Sequence, residues 1–356
     1  MIAGLIGLAP GNFHSIVVKK DGSVWSTGVK PDPKQFVQVI ASGAIAAATG
    51  NHFTIVLKQD GSVWITSQNS HDQLDFFDAL ATSEGTYYKV NNIMGAEAVA
   101  AGSYHAMVMS HDGSVWTTGW NMYGQLGDGS TEDSTGFREV ISGGVEAVAA
   151  GDGHSIVVKQ DGSVWAVGRN SNGQLGDGST VDRSTFVRTT MSGVSALGVT
   201  AGGDHSMVLK QDGSVWATGW NQYGQLGDGS REQRVDYTQV VSSGATLVAA
   251  GSQHSLMLKL DGSVWSTGNN EYGQLGTGST GNSLVFMQVI LDGATSIAAG
   301  DFQSMVLKQD GSVWATGSNR QGIQFGDGST EIKTTFVKLA IFGNGSLNHY
   351  VYLDSY

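Results

Sequence analysis

The phrase DGSVW occurs seven times in this chain, and this repetition constrains its fold more than any other feature. Successive tryptophans of the phrase are 39, 52, 49, 51, 49 and 49 residues apart, so the repeating unit is about 50 residues long. Self-similarity at such a period is typical of solenoids and propellers. The tryptophans are Trp25, Trp64, Trp116, Trp165, Trp216, Trp265 and Trp314.

Each unit predicts four short β-strands. In the fourth unit, HSIVVK and SVWAVG are rich in β-branched and aromatic residues, and the Asp161-Gly162 pair between them predicts a hairpin with a type I′ turn. VEAVAAG before the hairpin and FVRTT after it predict the outer two strands, and no segment has a useful helical period. Seven such units predict an all-β, closed seven-bladed β-propeller. A solenoid is the alternative, but its end repeats need polar caps and these ends are apolar.

The two ends of the chain also follow the repeat. The apolar start MIAGLIGLAPG lacks the positively charged leader of a signal peptide and aligns with the unit, so we expect its Leu8–Gly11 segment to be a strand. The stretch from Phe336 aligns with the one from Phe286, so an eighth unit begins and then stops. We therefore predict a single domain over residues 1–356, with the ring closed by the N- and C-terminal segments together.

Composition and charge argue against several classes of partner. The net charge is −12 and no cluster of lysines and arginines occurs, so nucleic acid and anionic membrane are not expected partners. No apolar run approaches the roughly 20 residues of a transmembrane helix. The chain has no cysteine, which excludes a disulfide framework and a thiolate site but leaves the compartment open.

The order of motifs within a unit resembles the regulator of chromosome condensation (RCC1-like) repeat family. The matching residues of the fourth unit are Ala150, Gly151, His154, Ser155, Asp161, Gly162, Asn170, Gly173, Gln174, Leu175 and Gly176. The resemblance covers nearly the whole chain and implies a seven-bladed propeller. It is incomplete in the first unit, which lacks GQLG, and in the second, where Asp72 and Asp75 replace both glycines.

The resemblance implies several unrelated functions, because one fold serves different sites. The chromatin-bound member is an exchange factor for the GTPase Ran and uses a basic tail and an inserted wedge, neither of which stands out here. The plant ultraviolet-B photoreceptor carries GWRHT, which is absent. Streptomycete members inhibit β-lactamases through one face of the ring. The sequence therefore favours a protein-interaction module, with an enzyme regulator of either kind or a structural subunit as alternatives.

The units differ mainly at one end of the predicted blade. The Asp-Gly turns read KKDGS, KQDGS, SHDGS and KLDGS, whereas the residues before the histidine and around NxxGQLG vary freely. Aromatic residues and arginine dominate binding hot spots, so we predict a partner-binding surface there, while packing of WNxYG on a neighbouring blade remains an alternative. The predicted binding residues are Phe13, Tyr104, Trp120, Tyr123, Arg169, Trp220, Tyr223, Tyr272, Phe302 and Arg320.

The repeated polar residues do not indicate catalysis. One histidine per unit is spread around the ring, so we expect bonds to a carbonyl or an adjacent blade rather than a zinc site. A single aspartate in each GDGST loop, such as Asp177, is expected to form a turn rather than bind calcium. No nucleophile elbow, phosphate loop or HExxH occurs. We predict no enzymatic activity, no metal and no cofactor, with another protein as partner.

Overall fold

Seven antiparallel sheets form a ring in the computed structural model, which describes residues 8–11, 14–28, 34–51, 53–67, 87–191, 196–319, 324–327, 329–339 and 350–351. Each sheet pairs four strands in chain order, and the first also pairs with a short strand near the C-terminus. Over these residues, no helix has the length and apolar character needed to cross a membrane. The all-β, seven-bladed prediction is confirmed.

The strands are numbered in chain order. The first two blades contain β1 (Leu8–Pro10), β2 (Ser15–Lys19), β3 (Val24–Ser26), β4 (Val37–Ile40), β5 (Ala44–Thr49), β6 (Phe53–Lys58), β7 (Val63–Ser67) and β8 (Tyr88–Lys89). The third and fourth contain β9 (Ala96–Ala101), β10 (His105–Ser110), β11 (Ser114–Gly119), β12 (Ser134–Ser142), β13 (Val145–Ala150), β14 (His154–Lys159), β15 (Val164–Gly168) and β16 (Arg183–Arg188).

The fifth to seventh blades repeat this order. They contain β17 (Ala196–Ala201), β18 (His205–Lys210), β19 (Val215–Gly219), β20 (Arg234–Val241), β21 (Ala245–Ala250), β22 (His254–Lys259), β23 (Val264–Gly268), β24 (Ser283–Ile290), β25 (Ala294–Ala299), β26 (Gln303–Lys308), β27 (Val313–Gly317) and β28 (Lys333–Lys338). A last short strand, β29 (Tyr350–Val351), pairs with β2 on the edge that also carries β1. Closure of one domain by both termini stays a prediction.

The first strand of every blade lines the central channel. A cavity of about 100 Å³ in the middle of the ring is lined by residues from all seven of these strands, most of them alanines. Small side chains are required there because the inner strands converge on one axis. Larger side chains pack between blades instead, and one such cluster joins the seventh blade to the first through Met305, Phe325, Leu8 and Phe36.

The Asp-Gly hairpins have a longer loop than the sequence predicts. In the fourth blade Lys159 N–H donates to Ser163 O, and Gly162 N–H donates to Lys159 O. The loop therefore has three residues, Gln160, Asp161 and Gly162, with only the glycine required in the left-handed region at φ 75°. The predicted two-residue type I′ turn is wrong, because the strand register fixes the loop length. These loops, at residues 20–22, 59–61, 111–113, 160–162, 211–213, 260–262 and 309–311, form what we call the hairpin face.

Candidate functional site

The two variable loops of a blade lie side by side at the end of the ring opposite the hairpin face. Trp120 N–H donates to Tyr104 O at 2.9 Å, and Trp220 N–H donates to Asp204 O at 2.8 Å. Ser318 N–H reaches Phe302 O in the same way. We call this end the loop face; it consists of residues 102–104 and 120–130 of the third blade and their counterparts in the other blades.

A buried asparagine holds each complete NxxGQLG loop in shape. Asn170 accepts from Leu175 N–H at 3.0 Å through Oδ1, and its Nδ2 donates to Asp177 Oδ1 at 3.0 Å. Asp177 in turn accepts from Ser179 N–H and forms an ion pair with Arg183 at 2.9 Å. The asparagine and aspartate are thus committed to the loop, which leaves the variable residues between them to form the surface.

Four of the predicted binding residues form one continuous cluster on the third and fourth blades. The ring of Trp120 makes edge contacts with Tyr104 at 5.8 Å and with Tyr123 at 5.3 Å between centroids. The guanidinium of Arg169 lies over the Tyr123 ring at 5.4 Å and forms an ion pair with Asp204 at 3.1 Å. We call Tyr104, Trp120, Tyr123 and Arg169 the aromatic cluster. It crosses a blade boundary and is half-buried throughout.

The other predicted residues form two separate pairs. Trp220 and Tyr223 are in edge contact at 5.3 Å within the fifth blade. Tyr272 and Phe302 are in edge contact at 5.1 Å across the sixth and seventh blades. All of these rings are half-buried, so packing and surface exposure coexist at the same positions. Phe13 and Arg320 lie outside the described residues.

Met122, which the sequence pattern did not single out, is the most exposed large apolar residue on the described part of the loop face. It lies between Asn121 and Tyr123 and is 63% exposed. The corresponding position holds Ser171, Gln222 and Glu271 in later units, all exposed. The sequence signal for Met122 is therefore an apolar residue at a loop position where the fourth, fifth and sixth units have a polar one.

Two aspartates lie at the channel mouth on the loop face, and the sequence pattern did not single them out either. A cavity of about 80 Å³ there is lined by the AGxx loops, including Asp152 and Asp301. Ser103 Oγ donates to Asp152 at 2.5 Å, and burial raises the pKa of Asp152. Burial, reinforced by the charge of Asp152, raises the pKa of Asp301 to about 7. The channel mouth thus carries two carboxyl groups beside the aromatic cluster, and Asp301 is only partly ionised near pH 7.

The repeated histidines connect neighbouring blades. His154 Nε2 lies 2.8 Å from Ser206 Oγ of the next blade, and that hydroxyl donates to Gln174 O at 2.7 Å. Because the hydroxyl has one proton and gives it to the carbonyl, His154 must be the donor and carries its proton on Nε2. Burial lowers the pKa of His154 to about 3, so the ring is neutral. The same contact recurs at His105, His205 and His254.

The repeated histidines, serines and asparagines thus make structural contacts within and between blades. In the described part of the chain, no three histidine, aspartate or glutamate side chains are grouped as metal ligands. The described part of the loop face therefore offers aromatic rings, the Arg169 guanidinium and carboxyl groups, a combination suited to contacting another protein surface.

Comparisons with known proteins agree with this architecture. The structure is similar to that of Prp20p from Saccharomyces cerevisiae, described with its binding to Gsp1p and histones, with a TM-score of 0.74 at 19% identity over 83% of this chain and 80% of that chain. It is also similar to yeast RCC1 (Prp20) bound to Kap60, with a TM-score of 0.78 at 16% identity over 95% and 85% of the two chains. The structure is also similar to that of human WBSCR16, with a TM-score of 0.75 at 19% identity over 87% of this chain and 88% of that chain.

Family models match the repeat directly. A regulator of chromosome condensation (RCC1) repeat model matches residues 112–158, 161–209, 212–258 and 261–307, which is more than half of the chain. A second model of the same repeat matches residues 97–125, 145–174, 198–225, 245–274 and 294–323. The chain therefore belongs to the regulator of chromosome condensation (RCC1) repeat family.

Proposed function

We propose that this protein is a non-enzymatic interaction module that binds a partner protein through the loop face. The aromatic cluster carries this proposal, because Tyr104, Trp120, Tyr123 and Arg169 form one half-buried patch across two blades. Rings already fixed by edge contacts lose little rotamer freedom on binding, and aromatic and arginine side chains are enriched at binding hot spots.

Met122 and the acidic channel mouth extend this surface. Met122 is exposed and directly precedes Tyr123 of the cluster in the chain, so we expect a partner that covers the cluster to contact this side chain too. Asp152 and Asp301 add two carboxyl groups beside the cluster that can hydrogen-bond to a partner, although Asp301, with a pKa of about 7, is only partly ionised at neutral pH. The protein contacts named for the similar yeast propeller, with Gsp1p, histones and Kap60, support a role of this class.

Charging the exposed apolar residue is expected to abolish partner capture without unfolding the ring. In affinity purification from the native source, Met122→Glu is expected to lose the partner, because a carboxylate would be buried without a counter-ion. A Trp120→Ala/Trp220→Ala variant is expected to lose it as well, with roughly tenfold or greater weakening for a hot-spot residue. Tm measurements on each variant identify any loss due to unfolding.

The matched control is Leu260→Glu, which places the same charge on the hairpin face. Leu260 is 87% exposed, so this substitution has little structural cost and is expected to leave capture unchanged. Retention of the same partner by both loop-face variants would contradict the proposal. Once captured, the partner can be tested for faster nucleotide release or for loss of enzymatic activity, which separates a plain interaction module from an exchange factor or an inhibitor.

A further inference from the structure

Six of the seven hairpin tryptophans are covered by a lysine from the preceding strand of the same blade. The Lys159 ammonium lies 4.0 Å from the centroid of the Trp165 ring, and Lys308 lies 5.1 Å from that of Trp314. The other four are Lys19 over Trp25, Lys58 over Trp64, Lys210 over Trp216 and Lys259 over Trp265, at 4.2 to 4.3 Å. Such cation–π contacts follow from the register, because the lysine is the diagonal cross-strand neighbour of the tryptophan.

The third blade has no such cover. Ser110 occupies the position of the lysine, and no lysine or arginine among the described residues lies over the Trp116 ring. The space is open rather than filled by a neighbour. A cleft of about 380 Å³ is present there, and Trp116, Ser110, Met94, Asn92, Asp112 and Glu139 are among its lining residues.

The same blade also differs in the charge that faces its tryptophan. Glu139 of β12 pairs directly with Trp116, so the two side chains lie on one face of the sheet. Among the described strand pairings, Trp116 is the hairpin tryptophan that lies opposite an acidic residue. The residues opposite the other six tryptophans are Gln38, Lys89, Arg188, Gln239, Gln288 and Lys338.

We propose that the Trp116 cleft binds an ammonium group from outside the chain, namely a lysine side chain of a partner protein. The cation takes the place over the indole that a lysine of the chain itself occupies in the other blades. The carboxylates of Glu139 and Asp112 supply the complementary charge. Met94, 87% exposed at the rim, offers an apolar surface for the methylene stem of the incoming lysine.

This site is distinct from the surface proposed for partner binding above. It lies on the hairpin face, where the lining residues His111 and Asp112 belong to the hairpin loop itself, whereas the aromatic cluster lies on the loop face. The His111 ring is held by Glu97, with Nδ1 3.2 Å from Oε2 of that carboxylate. A partner that used both would have to reach around the rim of the third blade. The two proposals are therefore tested by different variants and can fail independently.

The test is an NMR titration of the Trp116 indole N–H in the full chain, with the signal assigned by Trp116→Phe. Nα-acetyl-lysine methylamide is the probe, and the uncharged norleucine analogue is the control. We expect saturable binding of the lysine probe in the millimolar range and at least about fivefold weaker binding of norleucine. Equal binding of the two probes, or no shift with either, would overturn the proposal.

Substitutions at the serine separate the site from general surface binding. Ser110→Lys restores the residue found in the other six blades and is expected to abolish binding, because its own ammonium covers the indole. Ser110→Ala leaves the cleft open and is expected to bind the probe as the wild type does. Glu139→Gln, the residue type opposite three of the other tryptophans, is expected to weaken binding about three- to tenfold. Unchanged binding by Ser110→Lys would overturn the proposal.

A transplant into the fourth blade provides a test of sufficiency. Lys159→Ser with Arg188→Glu gives Trp165 the serine and the glutamate that Trp116 has in the third blade, while Gly143 stays at the position of Met94. This variant is expected to gain a second lysine-probe site, seen as a shift of the Trp165 indole signal. Lys159→Ser alone keeps Arg188 opposite the indole and is expected to bind more weakly. Failure of a folded double variant to bind would show that uncovering the ring and reversing the charge are insufficient, contrary to the proposal.

Discussion

Lowering the pH from 7 to 5 is expected to remove several kcal/mol from the free energy of unfolding of this propeller. Burial lowers the pKa of His105 and His205 to about 4, and of His154 and His254 to about 3. An unfolded histidine titrates near 6.5, so between about pH 6.5 and 4 the unfolded state binds more protons than the folded one. The stability from these neutral histidines is complete above pH 6.5 and is lost as the pH falls.

The size of the effect follows from the number of histidines. Each contributes a slope of about 1.4 kcal/mol per pH unit within its window, so four together give roughly 5 kcal/mol per unit. Total stabilities of folded domains are about 5 to 15 kcal/mol, so the ring is expected to unfold before pH 4 is reached. Asp301 opposes this trend. Its pKa of about 7 gives stability at low pH that is lost as the pH rises toward 7, and Asp152 and Asp204, whose pKa values burial also raises, act in the same direction. The four histidines outnumber these three aspartates, so a net loss of stability at low pH is expected.

The seventh blade supplies the control for this prediction. Gln303 occupies the histidine position there and donates to Gly11 O at 2.8 Å, so a glutamine fits the fold without titrating. His154→Gln is therefore expected to fold at pH 7 and to reduce the pH slope by about one proton. Denaturant unfolding at pH 7, 6 and 5 measures both slopes. A variant curve parallel to that of the wild type would show that His154 is not a source of the acid sensitivity.

Gly151→Ala is expected to destabilise the ring by about 3 kcal/mol or more, although the backbone conformation there suits any residue. A Cβ on Gly151 would lie 2.3 Å from Gly202 O and 2.4 Å from His154 Cε1. Neither atom is the end of a flexible chain, since one is backbone and the other is fixed by its bond to Ser206. Overpacking a rigid site costs about 1 to 3 kcal/mol, and loss of the inter-blade bond adds to this.

Gly136→Ala is the matched control for that substitution. Gly136 lies in β12, its φ is not positive, and a Cβ there would meet nothing within 4 Å. Its replacement is expected to be neutral or stabilising by a few tenths of a kcal/mol, because alanine reduces the entropy of the unfolded chain. Equal destabilisation of both variants in urea unfolding would show that loss of glycine flexibility, and not close blade packing, explains the result.

The fold could be predicted from the sequence because seven aligned copies of one unit each indicate the same strands. The aligned tryptophans and the HSIVVK runs predict the strands, and β14 and β15 lie where these patterns indicate. The length of the hairpin loop could not be predicted in this way, since Asp161-Gly162 is compatible with either a two- or a three-residue loop. The choice depends on the pairing of Lys159 with Ser163, which no local pattern reveals.

The candidate site was only partly predictable. Variability among units selected Tyr104 and Trp120, but their contact depends on two loops that are separated along the chain and meet in space. The influence of Asp152 on Asp301 joins the fourth and seventh blades at the channel mouth, and only ring closure brings them together. The uncovered Trp116 was visible in the phrase SHDGS, but its meaning required knowing that lysine covers the indole elsewhere.

The contact between adjacent blades has a consequence for how such a ring can change in evolution. Each of several blades presents a histidine and a loop carbonyl on one side and a serine on the other, as His154, Gln174 and Ser155 do in the fourth. A tandem gene duplication of one unit would therefore supply a blade whose two sides already fit its neighbours. The junction of the seventh blade with the first is different, because Gln303 binds Gly11 O there. This difference gives the junction of the seventh and first blades a contact that the histidine-bearing blades do not have, so a duplicated histidine unit would not reproduce it.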